Sequence, residues 1–274
     1  MMNAALPQPF ADLGLTAFPF PKAPAPEALF RWPGLDETLA RLQFAVAASG
    51  FALLTGEVGS GKSSALRLFL HELDANVHPA VYIADSSLSP RTFYGRVLEQ
   101  FGVLPASTAG RARRQFQTLL ADLAMAQGKQ PFVVIDEGHE LSPEMVLELR
   151  YLQNVRDCDA ASPFTLILCG QAELRAMLRL KSFEAVAQRI SVRCHLAPLS
   201  PQQATAFVTH ALRHAGIDRP LFTEAALGLL HTHSRGLCRR LGALATHALL
   251  DAALGKTPLV EEASVRRAVT ELDD

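Results

Sequence analysis

One short segment of the chain has the residue types and the spacing of a loop that binds phosphate groups. It matches the pattern G-x-x-x-x-G-K-[ST] in full and consists of Gly56, Glu57, Val58, Gly59, Ser60, Gly61, Lys62 and Ser63, followed by Ser64. Glycines let backbone N–H groups turn towards a β-phosphate, Lys62 is expected to reach the β- and γ-phosphates, and the Ser63 hydroxyl is expected to bind Mg²⁺. The segment therefore predicts a site for ATP and Mg²⁺.

The residues on either side of this segment support the same interpretation. The apolar run at 51–55 predicts a buried strand, and a helical pattern starts at Ser63. A phosphate loop requires this order, because the N-terminus of the following helix adds partial positive charge. The alternative, a glycine-rich turn that contains Lys-Ser by coincidence, does not explain the strand and the helix.

A pair of acidic residues ends a second apolar run. Residues 132–135 predict a buried strand, and Asp136 and Glu137 follow it directly. Asp136 is expected to hold the Mg²⁺ shell, and Glu137 is expected to orient and deprotonate the attacking water. A strand that ends in a solvated acidic turn is the alternative, and the phosphate loop in the same chain makes it the weaker one.

Composition limits the remaining classes of protein. The chain has 274 residues and a formal net charge of -1, which does not point to nucleic acid, although a local basic patch would be enough to bind it. The cysteines, Cys158, Cys169, Cys194 and Cys238, form no CxxC pair and no short His/Cys spacing that fits zinc. They predict reduced thiols. Without a signal peptide or an apolar run of membrane-spanning length, we expect a cytoplasmic protein with no membrane partner.

The order of the apolar and helical patterns predicts the fold class. Strand patterns at 51–55, 80–84, 132–135, 165–169 and 191–195 alternate with helical patterns at 63–73, 90–101, 111–126 and 142–154. Such alternation indicates an α/β fold with a parallel sheet. Four further helical patterns follow Pro198, and Ser200 and Thr223 are good N-caps for two of them. We expect a Pro/Phe-rich segment at 1–33 that packs on the core, an α/β core at 34–197 and a helical subdomain at 198–274.

Several blocks of sequence resemble a known family. They are LLTGEVGSGKSS, VVIDEGHELSPEMVLELRYLQN, LILCGQAELR, AQRISVRCHLAPLS and SRGLCRRLGALATHALL, and they span roughly residues 50–250. The chain resembles the AAA+ ATPases of the general secretion pathway protein A (ExeA) group, which are similar to the transposition regulators TnsC, TniB and MuB. The resemblance implies a P-loop NTPase AAA+ core with a C-terminal α-helical lid, and hydrolysis of ATP.

The resemblance also assigns roles to single residues. Gln171 matches the polar sensor that touches the γ-phosphate or the attacking water. Arg189 matches an arginine finger that reaches the nucleotide of a neighbouring subunit, and Arg193 is a weaker candidate for that role. Arg239 matches the arginine that the lid contributes to the nucleotide. Relatives usually have proline where this chain has Cys238, and Arg240 lies next to Arg239, so the identity of the lid arginine stays open. A surface ion pair is the alternative role for each arginine.

Two clusters of residues have less specific interpretations. Arg111, Arg113 and Arg114, with Lys129 beyond the same helix, are candidates for contact with DNA phosphates, and a solvated helix face is the alternative. His210 and His214 lie one helical turn apart, but no third ligand for a metal is evident, which favours a surface or interface role.

Two kinds of biology fit the resemblance. A transposition regulator would assemble with ATP as a ring or helical homo-oligomer on duplex DNA and recruit a transposase or integrase. An ATPase of the secretion pathway, or a signalling ATPase that does not bind DNA, is the alternative. Secretion members of the group continue past the lid into a membrane span and a cell-wall-binding region. This sequence stops at Asp274 without either one, and on that ground we expect a transposition regulator.

Overall fold

A computed structural model describes residues 6–85, 88–152 and 164–273. The chain divides into two compact units. One unit comprises Pro33–Gly56 and Ala65–Leu196. The other comprises the N-terminal segment up to Trp32, the segment Glu57–Ser64 and the C-terminal region from Ala197.

The first unit is built on a five-stranded parallel sheet. The strands are β1 (Phe51–Gly56), β2 (Ala80–Ile83), β3 (Phe132–Ile135), β4 (Thr165–Gly170) and β5 (Ile190–Leu196). Their order in the sheet is β2-β3-β4-β1-β5. Every residue of β1, β3 and β4 is buried, whereas β5 alternates between buried and exposed residues. This difference has a sequence cause, because β1, β3 and β4 are continuous apolar runs and β5 alternates apolar and polar residues at the edge of the sheet.

Helices connect the strands and form the C-terminal region. In chain order they are α1 (Gln8–Asp12), α2 (Pro33–Ala47), α3 (Lys62–Glu72), α4 (Pro90–Gln100), α5 (Ala109–Ala121), α6 (Pro143–Leu152), α7 (Ala172–Leu178), α8 (Glu184–Ala187), α9 (Pro201–His214), α10 (Glu224–Ser234), α11 (Cys238–Leu254) and α12 (Glu262–Asp273). The predicted α/β class, the parallel sheet and the helical C-terminal region are confirmed. The helix predicted at 111–126 ends at Ala121 and continues as a π-helical turn, Asp122–Ala126. Residues 153 and 154 of the helix predicted at 142–154 lie outside the described residues, as does Cys158.

The core of the first unit joins the sheet to α4, α5 and α6. Phe93, Tyr94 and Phe116 pack against one another with ring centroids 5.3–5.9 Å apart, and Phe164 meets Phe116 edge to face at 5.5 Å. All four side chains are almost completely buried. Such aromatic packing fixes the helices that cover one face of the sheet, and so fixes the loops that leave the carboxyl ends of the strands.

The second unit is held by caps and by aromatic contacts. Ser200 forms a capping box with Gln203 at the start of α9, and the Thr223 hydroxyl caps α10, as the sequence predicts. In the N-terminal segment, Phe20 stacks on Phe207 of α9, and the Thr16 N–H donates to Ala215 O at 2.8 Å. These contacts of the segment are made with α9 and the residue that follows it, in the same unit of the chain. Phe20 also lies against α11, since a Cβ at Gly242 would be 3.3 Å from Cβ of Phe20.

Within residues 6–85, 88–152 and 164–273, no helix is long and apolar enough to cross a membrane.

Candidate nucleotide-binding site

The phosphate loop begins where β1 ends. Gly56 closes the strand, Lys62 opens α3, and the residues between them form a turn. Gly59 and Gly61 have φ angles of +79° and +103°, which residues with side chains rarely adopt. Glycine is therefore needed at both positions if the backbone N–H groups are to turn into one concave surface.

The polar side chains of the loop are placed to meet an anion. Lys62 is 7% exposed, and its Nζ donates to Glu57 O at 3.0 Å. The buried Ser60 Oγ has no hydrogen-bond partner among the described residues. Ser63, in the first turn of α3, is exposed. A buried cation, an unsatisfied hydroxyl and the N-terminus of an 11-residue helix together fit a phosphate group with Mg²⁺ beside it.

The acidic pair ends β3 as the sequence predicts. Asp136 is 3% exposed, and its N–H donates to Ile83 O at 2.8 Å. Its carboxylate accepts the Tyr82 hydroxyl through Oδ2 and the Glu137 N–H at 2.9 Å through Oδ1. Glu137 itself has φ +52°, a conformation that non-glycine residues rarely adopt and that occurs often at active sites. The geometry thus fixes Asp136 firmly and turns the Glu137 side chain out of the strand direction.

Gln171 follows β4, which lies between β1 and β3 in the sheet. Its amide nitrogen lies 2.8 Å from Nε2 of His139, and Nδ1 of the same imidazole lies 3.5 Å from Oε2 of Glu137. Because the carboxyl ends of parallel strands meet at one edge of a sheet, the neighbouring β3 and β4 bring these three side chains together. His139 and Tyr82 were not predicted from the sequence. In the sequence, His139 and Tyr82 are marked only as polar residues in or near a strand that ends at this edge of the sheet.

The two finger candidates differ in exposure. Arg189 is partly buried, and its Nη1 donates to Ala185 O at 2.8 Å. Arg193 is exposed on β5, and its Nη2 donates to Ala187 O at 2.6 Å. Both arginines are therefore held by backbone carbonyl groups of α8 and keep further N–H donors for a ligand.

A basic cavity of about 850 Å³ lies against the face of β1 and β5. Four cationic side chains line the cavity, namely Arg175, Arg179, Lys181 and Arg193. Glu184 is the acidic residue of the lining. Within the part of the chain that the structure describes, none of these four cations makes an ion pair. Gln188, which precedes Arg189, also lines this cavity. The surface beside the finger candidates is therefore suited to an anionic ligand.

The start of α11 contacts the phosphate loop within the second unit. The Arg239 N–H donates to Gly59 O at 3.1 Å, and the Cys238 thiol lies 3.7 Å from Ser60 O. A Cβ at Gly59 would lie only 3.0 Å from Cβ of Arg239. Burial raises the pKa of Cys238 to about 11, so the thiol stays neutral at physiological pH and acts as a weak donor.

The two adjacent arginines of α11 have different environments. Arg240 donates to Asp273 at 2.6 Å and to His233 O at 2.9 Å, which ties it to α12 and α10. The Arg239 side chain is exposed and makes no hydrogen bond or ion pair among the described residues. Arg239 thus has the freedom that a nucleotide-binding lid arginine needs, and Arg240 does not.

The basic cluster on α5 is less uniform than its sequence indicates. Arg111 and Arg114 are exposed, and Lys129 is partly buried. Arg113 lies 3.4 Å from a Glu148 carboxylate oxygen and stacks over the Tyr151 ring at 4.6 Å. Only two of the three arginines are therefore open to a phosphate backbone without losing an existing contact.

The histidine pair of α9 has a structural partner. His210 Nε2 lies 3.1 Å from Ala28 O, and the rings of His210 and His214 lie 4.6 Å apart. The described residues contain no group of three or more His, Cys, Asp or Glu side chains that could hold a metal ion.

Comparison with known proteins defines the class. Residues 46–178 match the family model described as an AAA domain. Together with the five-stranded parallel sheet and the phosphate loop, this match shows that the chain has the AAA+ P-loop NTPase fold.

The chain is similar to one curated protein in particular. It is 36% identical over 244 residues to general secretion pathway protein A of Aeromonas hydrophila, and the alignment covers 87% of this chain and 44% of that protein. The chain therefore spans less than half of the length of this relative. This similarity supports the resemblance to the ExeA group that the sequence indicates, whereas the similarity to TnsC, TniB and MuB stays a prediction.

Solved structures of proteins with low sequence identity share this fold. Cdc6p from Pyrobaculum aerophilum superposes with a TM-score of 0.69 at 15% identity, covering 92% of this chain and 70% of that one. The ORC1 protein of Aeropyrum pernix in complex with DNA gives 0.68 at 18% identity, covering 89% and 67%. The Thermotoga maritima RuvB Holliday junction branch migration motor gives 0.57 at 17% identity, covering 93% and 73%.

Proposed function

We propose that this chain binds Mg-ATP at its phosphate loop and hydrolyses it to ADP and phosphate. One observation carries the proposal: a complete phosphate loop with a buried Lys62 follows β1, and a buried Asp136 with Glu137 follows β3 in the same parallel sheet. The carboxyl ends of parallel strands are where such folds bind nucleotides. The direct test is phosphate release from ATP by the purified full chain.

The proposed roles follow from the environment of each side chain. Lys62 and the loop N–H groups bind the phosphates, while Ser63 and Asp136 hold the metal ion that offsets their charge. Glu137 takes a proton from the attacking water. Gln171 orients that water or the γ-phosphate, and Arg239 binds the nucleotide from the lid.

Assembly of several copies is the second part of the proposal. Arg189 reaches the nucleotide of a neighbouring copy in a ring or a helical oligomer, and Arg193 is the alternative residue for this role. The basic cavity supports the arrangement, because Arg175, Arg179 and Lys181 would attract the phosphates of a nucleotide that a second copy presents.

A finger that acts between copies makes hydrolysis depend on protein concentration. Arg189→Ala is expected to lower turnover at least ~100-fold, because charge that develops at the γ-phosphate loses its partner. Mixing this variant with Glu137→Gln should restore part of the activity, since the second protein supplies Arg189 to an intact site. Phosphate release across a protein dilution series measures both effects.

Two control variants separate the outcomes. Arg266→Ala removes an exposed arginine of α12 and should leave turnover unchanged. If Arg193→Ala is inactive alone and regains activity when mixed with Glu137→Gln, while Arg189→Ala stays active, the arginine finger is Arg193. If no mixture restores activity and the parent rate is independent of concentration, the enzyme works as a monomer and this part of the proposal is wrong.

Separate observations support two biological roles for such an assembly, beside the signalling ATPase that the sequence leaves open. Similarity to general secretion pathway protein A supports a secretion-pathway ATPase, in which the assembled chain serves an envelope channel. The exposed Arg111 and Arg114 support a transposition regulator, in which the assembly covers duplex DNA and recruits a transposase or integrase. Binding to DNA is the property that distinguishes the two.

For the transposition role we expect duplex DNA to bind tightly only with ATP. A single chain of net charge -1 neutralises few phosphates, whereas an oligomer aligns one basic cluster per copy and binds in a salt-dependent manner. Replacing Arg111 and Arg114 with alanine should weaken binding to every sequence about equally, because phosphate contacts carry no base information. Fluorescence anisotropy on a duplex of about 60 base pairs, with ATP, ADP and no nucleotide, measures this.

The matched control removes the same charge elsewhere. Lys256→Ala with Arg266→Ala takes two exposed cations from the C-terminal region and should leave DNA affinity unchanged. Adding Arg113→Ala should lower the free energy of unfolding and cause little further loss of DNA affinity, because Arg113 already contacts Glu148 and Tyr151. If ATP does not tighten DNA binding at moderate salt, the transposition role is excluded and the secretion-pathway role is favoured.

A further inference from the structure

A largely buried histidine lies between two of the proposed catalytic groups. His139 occupies the short helical turn Gly138–Glu140 that follows Glu137, and its side chain is 13% exposed. Its Nε2 lies 2.8 Å from the Gln171 amide nitrogen, and its Nδ1 lies 3.5 Å from Oε2 of Glu137. No role assigned above to any residue uses this imidazole.

Two glycines allow this turn to approach the end of β4. A Cβ at Gly138 would lie 2.5 Å from a methyl carbon of Leu168 and 3.1 Å from Cys169 O. A Cβ at Gly170 would lie 3.2 Å from the His139 backbone nitrogen. Because neither position has room for a side chain, the turn seats against the strand and His139 comes within hydrogen-bond reach of Gln171. The contact is therefore built into the fold from both sides.

The Gln171 amide nitrogen, placed against Nε2 of His139, implies one tautomer of the imidazole. An amide nitrogen can only donate, so Nε2 of His139 accepts, and the single hydrogen of the neutral ring lies on Nδ1. Nδ1 of His139 and Oε2 of Glu137 are both buried, and neither has a hydrogen-bond partner among the described residues. Among the residues that the structure describes, an unpartnered Nδ1 thus faces an unpartnered carboxylate oxygen at 3.5 Å, and a small shift closes the gap between them.

We propose that His139 is a positioning residue that orients the Glu137 carboxylate for the attacking water and links it to Gln171. This inference rests on the proposed ATP hydrolysis. The Nδ1–H holds one carboxylate oxygen, which leaves the other to accept the proton of the water. Gln171 uses one N–H on His139 and keeps its second N–H for the water or the γ-phosphate. The base and the sensor are therefore held as one unit before the nucleotide arrives.

The tautomer can be measured without any turnover. Long-range ¹H–¹⁵N spectra of the ¹⁵N-labelled full chain distinguish Nδ1–H from Nε2–H imidazoles, and the signal that His139→Asn removes identifies His139. We expect the Nδ1–H form in the parent and a shift towards the Nε2–H form in Gln171→Ala. An Nε2–H imidazole in the parent, or one that Gln171→Ala leaves unchanged, overturns the proposal.

Kinetics test the effect on catalysis. His139→Ala is expected to lower kcat about tenfold to a hundredfold with little change in ATP affinity, because the base is misplaced while the phosphate loop is intact. His139→Asn keeps an N–H donor near the position of Nδ1 and should retain more of the activity. In combination with Gln171→Ala, the loss should be smaller than the product of the single losses, because both act through Glu137.

The controls distinguish this inference from the proposed function. His71→Ala changes an exposed histidine near the end of α3 and should leave kcat unchanged. Thermal unfolding of each variant identifies any loss of kcat that comes from misfolding. If a variant misfolds, the tautomer of His139 in the folded parent still tests the proposal. A parent that hydrolyses ATP with a kcat that His139→Ala does not change overturns the positioning role. A parent with no hydrolysis overturns the proposed function instead, and the Nδ1–H tautomer alone then decides whether the link to Gln171 exists.

Discussion

Replacing Lys62 with alanine is expected to abolish measurable binding of ATP. Lys62 is the first residue of α3 and is almost fully buried, so its ammonium group is directed into the phosphate loop and not into solvent. Removing one partner of a desolvated charge pair costs far more than removing an exposed pair, and we expect the affinity to fall ~100-fold or more. Titration with a fluorescent ATP analogue measures the change.

The comparison requires a lysine outside the loop. Lys129→Ala removes the same charge from a partly buried position beyond α5 and should leave nucleotide affinity unchanged. Thermal unfolding without nucleotide should be similar for both variants and the parent. With ATP present, the parent and Lys129→Ala should gain stability by mass action, while Lys62→Ala should not. Equal ATP affinity in Lys62→Ala and the parent would show that the loop does not bind the nucleotide through this residue.

The phosphate loop and the acidic pair were predictable because their function is encoded by neighbouring residues. The positive φ angles of Gly59 and Gly61, and the start of α3 at Lys62, are local properties of one segment. The five strands were predictable for a related reason. Four of them are short apolar runs, and β5 alternates apolar and polar residues. Both patterns differ from the helical periodicity of the segments around them.

The contacts around Glu137 were not predictable in the same way. His139 meets Gln171 across 32 positions of sequence, and this meeting depends on β3 and β4 being neighbours in the sheet. Tyr82 reaches Asp136 for the same reason, since β2 pairs with β3. Strand order is a property of the whole fold, and no local pattern in this chain specifies it.

Charged side chains show the same limit. Arg111, Arg113 and Arg114 look equivalent in the sequence, yet Arg113 pairs with Glu148 on another helix. Arg239 and Arg240 also look equivalent, but the turn of α11 directs Arg240 to Asp273 and leaves Arg239 exposed. The direction in which a helix presents each side chain, and the partner it meets there, decides which charge remains for a ligand.

Replacing Glu137 with glutamine is expected to separate ATP binding from hydrolysis. The substitution keeps the size of the side chain and removes the group that accepts a proton from water, so phosphate release should fall ~100-fold or more. ATP affinity should stay close to that of the parent, because Lys62 and the loop N–H groups are unchanged. If assembly follows the ATP-bound state, Glu137→Gln should form larger particles with ATP than the parent does. Light scattering and phosphate release, measured on the same samples, test both effects.

The control for this variant lies on the same turn. Glu140→Gln makes the identical chemical change at an exposed position three residues further on, and it should leave both hydrolysis and assembly unchanged. Glu140→Gln therefore distinguishes the effect of losing the catalytic base from the effect of changing the charge near β3. Because Glu137 adopts φ +52°, a glutamine there has the same backbone requirement as the glutamate, and stability should differ little. Phosphate release by Glu137→Gln at the parent rate would contradict the assignment of Glu137 as the base, and the base would then have to be sought among the other polar groups at the carboxyl ends of β3 and β4.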